Sequence, residues 1–196
     1  MRRLAIPTVL AALVSFALAL MLATPVYAAD TGPAVEQLGD IQTVTPAEAE
    51  GKPTGFGDFV GRLHPALVHF PIAWLVGLAF IDFFGLVLKR EAWQRAGIFV
   101  LGGTVLSLVP TAATGLLRAA HMPSDVHALL VAHRTLNFAV TGLVLAAFAL
   151  RLLRRNRLQG SSRVAYLALV FAATGLVLVA ADFGGRMVYG PDYLPW

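Results

Sequence analysis

Residues 164–183 read VAYLALVFAATGLVLVAADF, a run in which Asp182 is the only charged residue. A helix of this length is about 30 Å long, which matches the hydrocarbon thickness of a bilayer. A strand could not cross there, because its edges would leave backbone N–H and C=O groups unpaired in lipid. The run therefore predicts a membrane-spanning α-helix.

Three further apolar blocks precede this run and predict the same structure. They cover about residues 71–88 (with residue 69 as an alternative start), 96–117 and 129–150. The chain is 58% hydrophobic and 13% charged, whereas a soluble domain is roughly half apolar and a quarter charged. We therefore expect an all-α fold, a four-transmembrane-helix bundle over residues 59–190 with a short extracytoplasmic tail at 191–196.

The first 58 residues divide into two segments. Residues 1–28 combine Arg2 and Arg3 with an apolar run and small residues before Ala28, which is typical of a signal peptide. An uncleaved signal anchor is the alternative. Residues 29–58 are polar, aperiodic and rich in Gly, Pro, Thr, Ala and Glu, which predicts a disordered extracytoplasmic linker.

The loops between the apolar blocks set the expected orientation. The first and third connections are basic, carrying Lys89, Arg90 and Arg95 in the first and Arg151, Arg154, Arg155, Arg157 and Arg163 in the third. Basic loops stay in the cytoplasm, so the second connection and the C-terminus should lie outside. The secretion signal independently places the linker outside. We expect a multi-pass protein of the bacterial cytoplasmic membrane, embedded in lipid, with both mature termini extracytoplasmic.

Several classes of site and partner are excluded or unsupported. The chain has no cysteine, which excludes disulfides, iron–sulfur clusters, thiolate metal sites and covalently attached haem. The basic residues lack the interleaved aromatics or helix-turn-helix pattern of a nucleic-acid-binding protein. No serine–histidine or zinc-protease spacing indicates an enzyme.

All five histidines are expected in the outer leaflet. His133 and Asn137 are four residues apart and share one helix face, and an ionisable residue one turn inside a spanning helix usually faces the bundle interior. His121 and His127 fall in or beside the outer loop, where we expect solvated side chains. The remaining two are His64 and His69.

His69 and His133 are expected at similar depth on different helices, so we predict that they approach each other in the bundle interior. His64 and His69 are five residues apart, about 140° around a continuous helix, and would not share a face. The candidate cofactor or metal ligands are thus His69 and His133, with His64 in support.

Four further charged residues are expected near the membrane edges. Arg62 and Arg186 are expected at the outer membrane edge, where the propionates of a haem would need cationic partners. Asp182 lies four residues before Arg186 and should pair with it. Near the other membrane face, Asp82 is interpreted as an interfacial cap beside Lys89.

One set of motifs resembles a known family. The motifs are His64-Pro65, His69-Phe70-Pro71, Thr114-Gly115-Leu116, His133 with Asn137, Gly184-Gly185 and Val188-Tyr189. Together they resemble the bacterial membrane proteins of domain-of-unknown-function family 2231 over about residues 58–190. The resemblance implies four helices and a kinship with membrane b-type cytochromes, which hold haem between histidines of different helices. Carried over to this chain, it marks His64, His69 and His133.

Three functions are compatible with these observations. The leading hypothesis is a haem b-binding electron carrier, because two axial imidazoles leave no open iron position and so favour electron transfer. Its partner would be a periplasmic or membrane redox protein such as a c-type cytochrome. The alternatives are a non-catalytic membrane scaffold or accessory subunit, and an extracytoplasmic copper or zinc site at His69 and His133.

Overall fold

A computed structural model describes residues 53–190. The predicted signal peptide, nearly all of the predicted linker and the C-terminal tail lie outside these described residues. The part of the linker that is described already contains the start of the first helix, at Phe56.

The described chain consists of six α-helices and one short 3₁₀ turn, without strands. The helices are α1 (Phe56–Gly61), α2 (His64–Leu67), α3 (His69–Val87), α4 (Glu91–Ala119), α5 (His127–Leu153) and α6 (Gly160–Tyr189), and the turn is Ser124–Val126. Four segments are long and apolar enough to cross a membrane: Phe56–Val87, Glu91–Ala119, Ser124–Leu153 and Gly160–Tyr189. The predicted all-α, four-span fold is confirmed.

The four long helices form an up-down-up-down bundle. Helix α3 packs mainly on α4, and α5 mainly on α6, while contacts between α4 and α5 and between α3 and α6 close the ring. The centre is filled by apolar side chains from all four helices: Leu75, Leu78, Leu101, Val140, Val144, Val170, Ala173 and Val177. The short helices α1 and α2 pack against the last part of α4.

Most ends of the long helices extend beyond the apolar blocks that were identified in the sequence. Helix α6 begins at Gly160, where the Gln159 and Ser162 side chains form a capping box, and it continues through Gly184 and Gly185 to Tyr189. Those glycines stay within the helix, so α6 does not end there. The extended ends place two polar clusters at opposite ends of the bundle. We call them the histidine end, around His64 and His133, and the basic end, around Asp82 and Arg151.

Candidate functional site

His64 lies in α2 and is held by α4. Its Nδ1 is 3.0 Å from the carbonyl oxygen of Thr111 and 3.3 Å from the hydroxyl of Thr114. A Cβ on Gly115 would lie only 2.8 Å from Cε1 of His64, so the glycine lets the imidazole ring lie directly on the α4 backbone. The hydroxyl of Thr111 also reaches back to the carbonyl of Leu67 at 3.3 Å. These contacts fix α2 against α4.

His133 lies in the second turn of α5 and is held by α6. Its Nδ1 is 2.7 Å from the carbonyl oxygen of Ala180, and its Nε2 is 3.2 Å from the amide nitrogen of Asn137. Gly184 faces the same ring, since a Cβ there would be 3.1 Å from Cε1 of His133. Each of these two histidines is therefore anchored on a carbonyl of a neighbouring helix and packed beside a glycine.

The two anchored rings meet edge to face inside the bundle. The centroids of His64 and His133 are 6.3 Å apart and the ring planes are nearly perpendicular, at 89°. A carbonyl oxygen can only accept, so each Nδ1 carries the proton and donates it. In the neutral ring the lone pair is then on Nε2, which is the nitrogen through which this tautomer can bind a metal ion.

The expectation that His69 and His133 meet in the interior was wrong. The His69 side chain is exposed, and its Nδ1 lies 3.3 Å from the carbonyl of Ala66 in the preceding turn. It lines an apolar groove on the outer surface of α3 with Phe70 and Trp74. Because His64 and His69 point in different directions, only one of them can face inward.

The residues that decide which histidine faces inward lie on α4 and not beside the histidines in the sequence. Gly115 follows Thr111 and Thr114 on one face of that helix, and these residues receive the ring of His64. Their sequence separation from His64 is about 50 residues, and local spacing carries no information about a contact over that distance.

The other predicted residues at the histidine end lie as follows. His121 and His127 are exposed, as expected for solvated side chains. Asp182 pairs with Arg186 at 2.8 Å, which confirms that prediction. Arg62 pairs with Asp58 at 3.0 Å, so both arginines proposed as propionate partners already have a carboxylate neighbour.

The interpretation of Asp82 as an interfacial cap was wrong. Asp82 is 4% exposed and points into the bundle. Its Oδ1 accepts from Nη2 of Arg151 at 2.8 Å, and its Oδ2 accepts from the Tyr166 hydroxyl at 2.6 Å. Arg151, expected as a cytoplasmic loop charge, is only 2% exposed. Nη1 of Arg151 donates to the Gln94 carbonyl and to Oδ1 of Asn156, both at 2.7 Å.

Each long helix contributes to this buried cluster. Asp82 is on α3, Arg151 on α5 and Tyr166 on α6, and the Arg151 guanidinium lies 4.3 Å from the Tyr166 ring centroid in a cation–π contact. Helix α4 contributes Gly97, where a Cβ would come within 2.6 Å of Nη2 of Arg151. The cluster is a network that joins four helices at the basic end.

The described residues do not form a metal site from protein ligands alone. Between residues 53 and 190, no group of three or more His, Cys, Asp or Glu is placed to hold a metal ion. Structural zinc needs four protein ligands and catalytic zinc three.

A comparison with protein families agrees with the fold. The model of a family described as predicted membrane protein (DUF2231) matches residues 62–192, about two thirds of the chain. No curated protein and no solved structure matches.

Proposed function

The chain belongs to the DUF2231 family of predicted membrane proteins, and we propose that it is a haem b-binding electron carrier with His64 and His133 as the axial ligands. The observation that carries the proposal is the adjacent ring pair, with centroids 6.3 Å apart and each Nδ1 on a backbone carbonyl. Two imidazoles bound to one ion at about 2 Å per nitrogen have centroids about 6 Å apart. The centroid distance of the pair is one that two ligands of one metal also have, and this supports the proposal.

The donor set favours haem over a bare metal ion. A porphyrin supplies four nitrogens, so two histidines complete the coordination of haem iron, whereas zinc would need further protein ligands. The chain has no cysteine, so the haem would be held without covalent links. When bound, the group would supply a one-electron iron couple with both axial positions closed.

The residues of the chain have distinct roles in this proposal. The carbonyls of Thr111 and Ala180 orient the two rings and fix their tautomers, which is the usual second-shell role around metal-bound histidine. If haem binds, the Asn137 amide would no longer contact Nε2 of His133. It would keep its 2.8 Å hydrogen bond to the carbonyl oxygen of His133. Arg62 and Arg186 are each paired with a carboxylate, and they would have to exchange or share it to act as the predicted propionate partners. The electron partner would be a periplasmic or membrane redox protein, such as a c-type cytochrome, that docks at the histidine end.

The test is the visible spectrum of the protein purified from membranes, oxidised and reduced, with haem supplied during expression. We expect the bands of a six-coordinate low-spin haem. His64→Ala and His133→Ala should each lose them, because one open axial position weakens retention and changes the spin state. His69→Ala and His127→Ala are matched controls, since both side chains are exposed, and both should keep the wild-type spectrum.

Two outcomes would contradict the proposal. A colourless wild-type protein would reject haem binding and leave the non-catalytic scaffold as the leading function. A spectrum lost in His69→Ala but kept in His64→Ala would reject the ligand pair taken from the structure.

A further inference from the structure

The contacts of the two inward-facing histidines repeat each other along the chain. Each histidine has its Nδ1 on a backbone carbonyl 47 residues further on, and four residues beyond that carbonyl is the glycine against which the ring packs. A shift of 69 residues along the sequence therefore relates one set of contacts to the other. The sets are His64, Thr111 and Gly115 in the first half, and His133, Ala180 and Gly184 in the second.

The same shift of 69 residues relates the rest of the bundle. Asp82 and Arg151 at the basic end are 69 residues apart, and so are the first residues of α4 and α6, Glu91 and Gly160. Helix α3 packs on α4 as α5 packs on α6, and the contacts of α3 with α6 correspond to those of α5 with α4. Buried positions recur in both halves: Pro71 and Val140, Leu75 and Val144, Leu78 and Ala147, Leu101 and Val170, Thr104 and Ala173.

Two of these equivalent pairs are in direct contact, and they locate a symmetry axis. The ring centroids of His64 and His133 are 6.3 Å apart, and Asp82 and Arg151 form an ion pair at 2.8 Å. A residue that touches its own equivalent lies beside a two-fold axis, so the axis passes through both ends of the bundle. Each half contributes two of the four candidate spans, so both halves have the same orientation and the axis runs along the membrane normal.

We infer that the bundle is a tandem repeat of one two-helix unit, and that the histidine pair is a ligand site on the axis between the units, with Gly115 and Gly184 as equivalent positioning residues. Such a site offers a ligand the same donor and the same support on both sides. This suits haem, because its iron takes one axial ligand on each face. The identity of the ligand rests on the proposed function, whereas the repeat does not.

The first experiment compares alanine substitutions at four helical glycines of the full chain. A Cβ at Gly115 or Gly184 would lie 2.8 or 3.1 Å from Cε1 of the adjacent histidine, whereas a Cβ at Gly102 or Gly175 would have no neighbouring atom within 4 Å. We expect Gly115→Ala and Gly184→Ala each to weaken haem retention by about tenfold, a usual effect of lost second-shell support. Both should also shift the haem midpoint potential in the same direction.

Gly102→Ala and Gly175→Ala are the matched controls, because they lie on the same two helices as Gly115 and Gly184. They should leave haem retention and the midpoint potential unchanged. An effect on haem that is confined to Gly115→Ala or to Gly184→Ala would overturn the two-sided site. So would lower unfolding temperatures in both variants with an unchanged potential, because that result shows a packing role only.

The second experiment tests the repeat without any ligand, so a colourless protein would reject the proposed function and still leave the repeat open to test. The chain has no cysteine, so pairs of spin labels can be attached to introduced thiols at exposed positions. A two-fold axis requires the distance from Ala73 to Ala168 to equal the distance from Gly142 to Phe99, since Gly142 and Ala168 are the equivalents of Ala73 and Phe99.

Pulsed electron paramagnetic resonance in detergent measures the two distances, in Ala73→Cys with Ala168→Cys and in Gly142→Cys with Phe99→Cys. We expect the two distance distributions to have the same mean. A difference of about 5 Å, the rise of one helical turn, would show that the halves are not related by this axis and would overturn the repeat.

Discussion

Asp82 is charged and buried between apolar helices, and its environment explains how the bundle accommodates it. Removing a carboxylate and a guanidinium from water costs several kcal/mol per ion, which the pair recovers only when its remaining donors and acceptors are satisfied. Both Asp82 oxygens have a donor, from Arg151 and Tyr166, and Arg151 has two further acceptors, so that of the polar atoms of the pair only Nε of Arg151 lacks a partner among residues 53–190. Loss of either partner would leave the other buried and uncompensated.

Asp82→Asn should therefore lower the free energy of unfolding by about 3–5 kcal/mol, the usual cost of breaking a buried ion pair. Asp182→Asn is the matched control, since Asp182 also pairs with an arginine but its side chain is 28% exposed. Its loss should cost about 1 kcal/mol or less. Reversible unfolding in mixed detergent micelles measures both. Similar losses in the two variants would contradict a stabilising role specific to the buried pair.

A substitution at Gly97 changes the packing of the same cluster without changing its charges. In Gly97→Ala the new Cβ would meet Nη2 of Arg151 at 2.6 Å and Oδ1 of Asp82 at 3.0 Å, so the ion pair must shift. We expect a loss of about 1–3 kcal/mol, typical of overpacking. A Cβ added at Gly142 would have no neighbouring atom within 4 Å, and Gly142→Ala should be neutral or stabilise by up to about 1 kcal/mol. Thermal unfolding of the two variants in the same detergent makes the comparison, and a neutral Gly97→Ala would be inconsistent with the packing described.

At the scale of the helices, the spans and the inward-facing position of His133 could be predicted, whereas the inward-facing positions of His64 and Asp82 could not. An apolar run such as 164–183 can cross a bilayer only as a helix, so the sequence alone indicated all four spans. The short helices α1 and α2 depend instead on α4, which lies about 50 residues further along the chain. Their docking decides that His64 and not His69 faces inward. Asp82 was misread for the same reason, because its partners Arg151 and Tyr166 are 69 and 84 residues away.

Gly61 controls how closely α1 approaches α4. A Cβ at this position would lie 2.8 Å from the backbone nitrogen of Arg118 and 3.0 Å from its Cα, and helix backbone cannot yield as a side chain can. Gly61→Ala should push α1 away and cost about 1–3 kcal/mol. Gly57→Ala, where the Cβ would be 3.8 Å from a Leu117 methyl group, should leave the unfolding temperature nearly unchanged. Equal unfolding temperatures for the two variants would show that α1 does not pack on α4 as described.

At the scale of the whole molecule, the two polar clusters are separated by an apolar core. Tyr166 and Ala180, which contact one cluster each, are fourteen residues apart on α6, about 21 Å along the helix. The side chains between them, including Leu78, Leu101 and Val144, are apolar and buried. The clusters should therefore respond independently to substitution, since sites more than about 10 Å apart usually contribute additively to stability.

The distribution of charge between the two ends predicts the orientation of the whole molecule. The connection between α4 and α5 has few basic residues, whereas the connection between α5 and α6 has Arg154, Arg155 and Arg157, so the basic end should face the cytoplasm. The chain lacks cysteine, so a single introduced thiol reports its own position. Ser124→Cys and Ser161→Cys are matched, near-isosteric changes at exposed residues on opposite ends of the bundle.

In right-side-out membrane vesicles, a membrane-impermeant maleimide should label Ser124→Cys at once. It should label Ser161→Cys only after the vesicles are permeabilised, because that thiol would lie on the inner side with the arginines. The reverse pattern would place the histidine pair at the cytoplasmic face, and the donor or acceptor of the proposed haem would then have to be sought there. Labelling of both thiols in sealed vesicles would contradict a bundle with its two ends on opposite sides of the membrane.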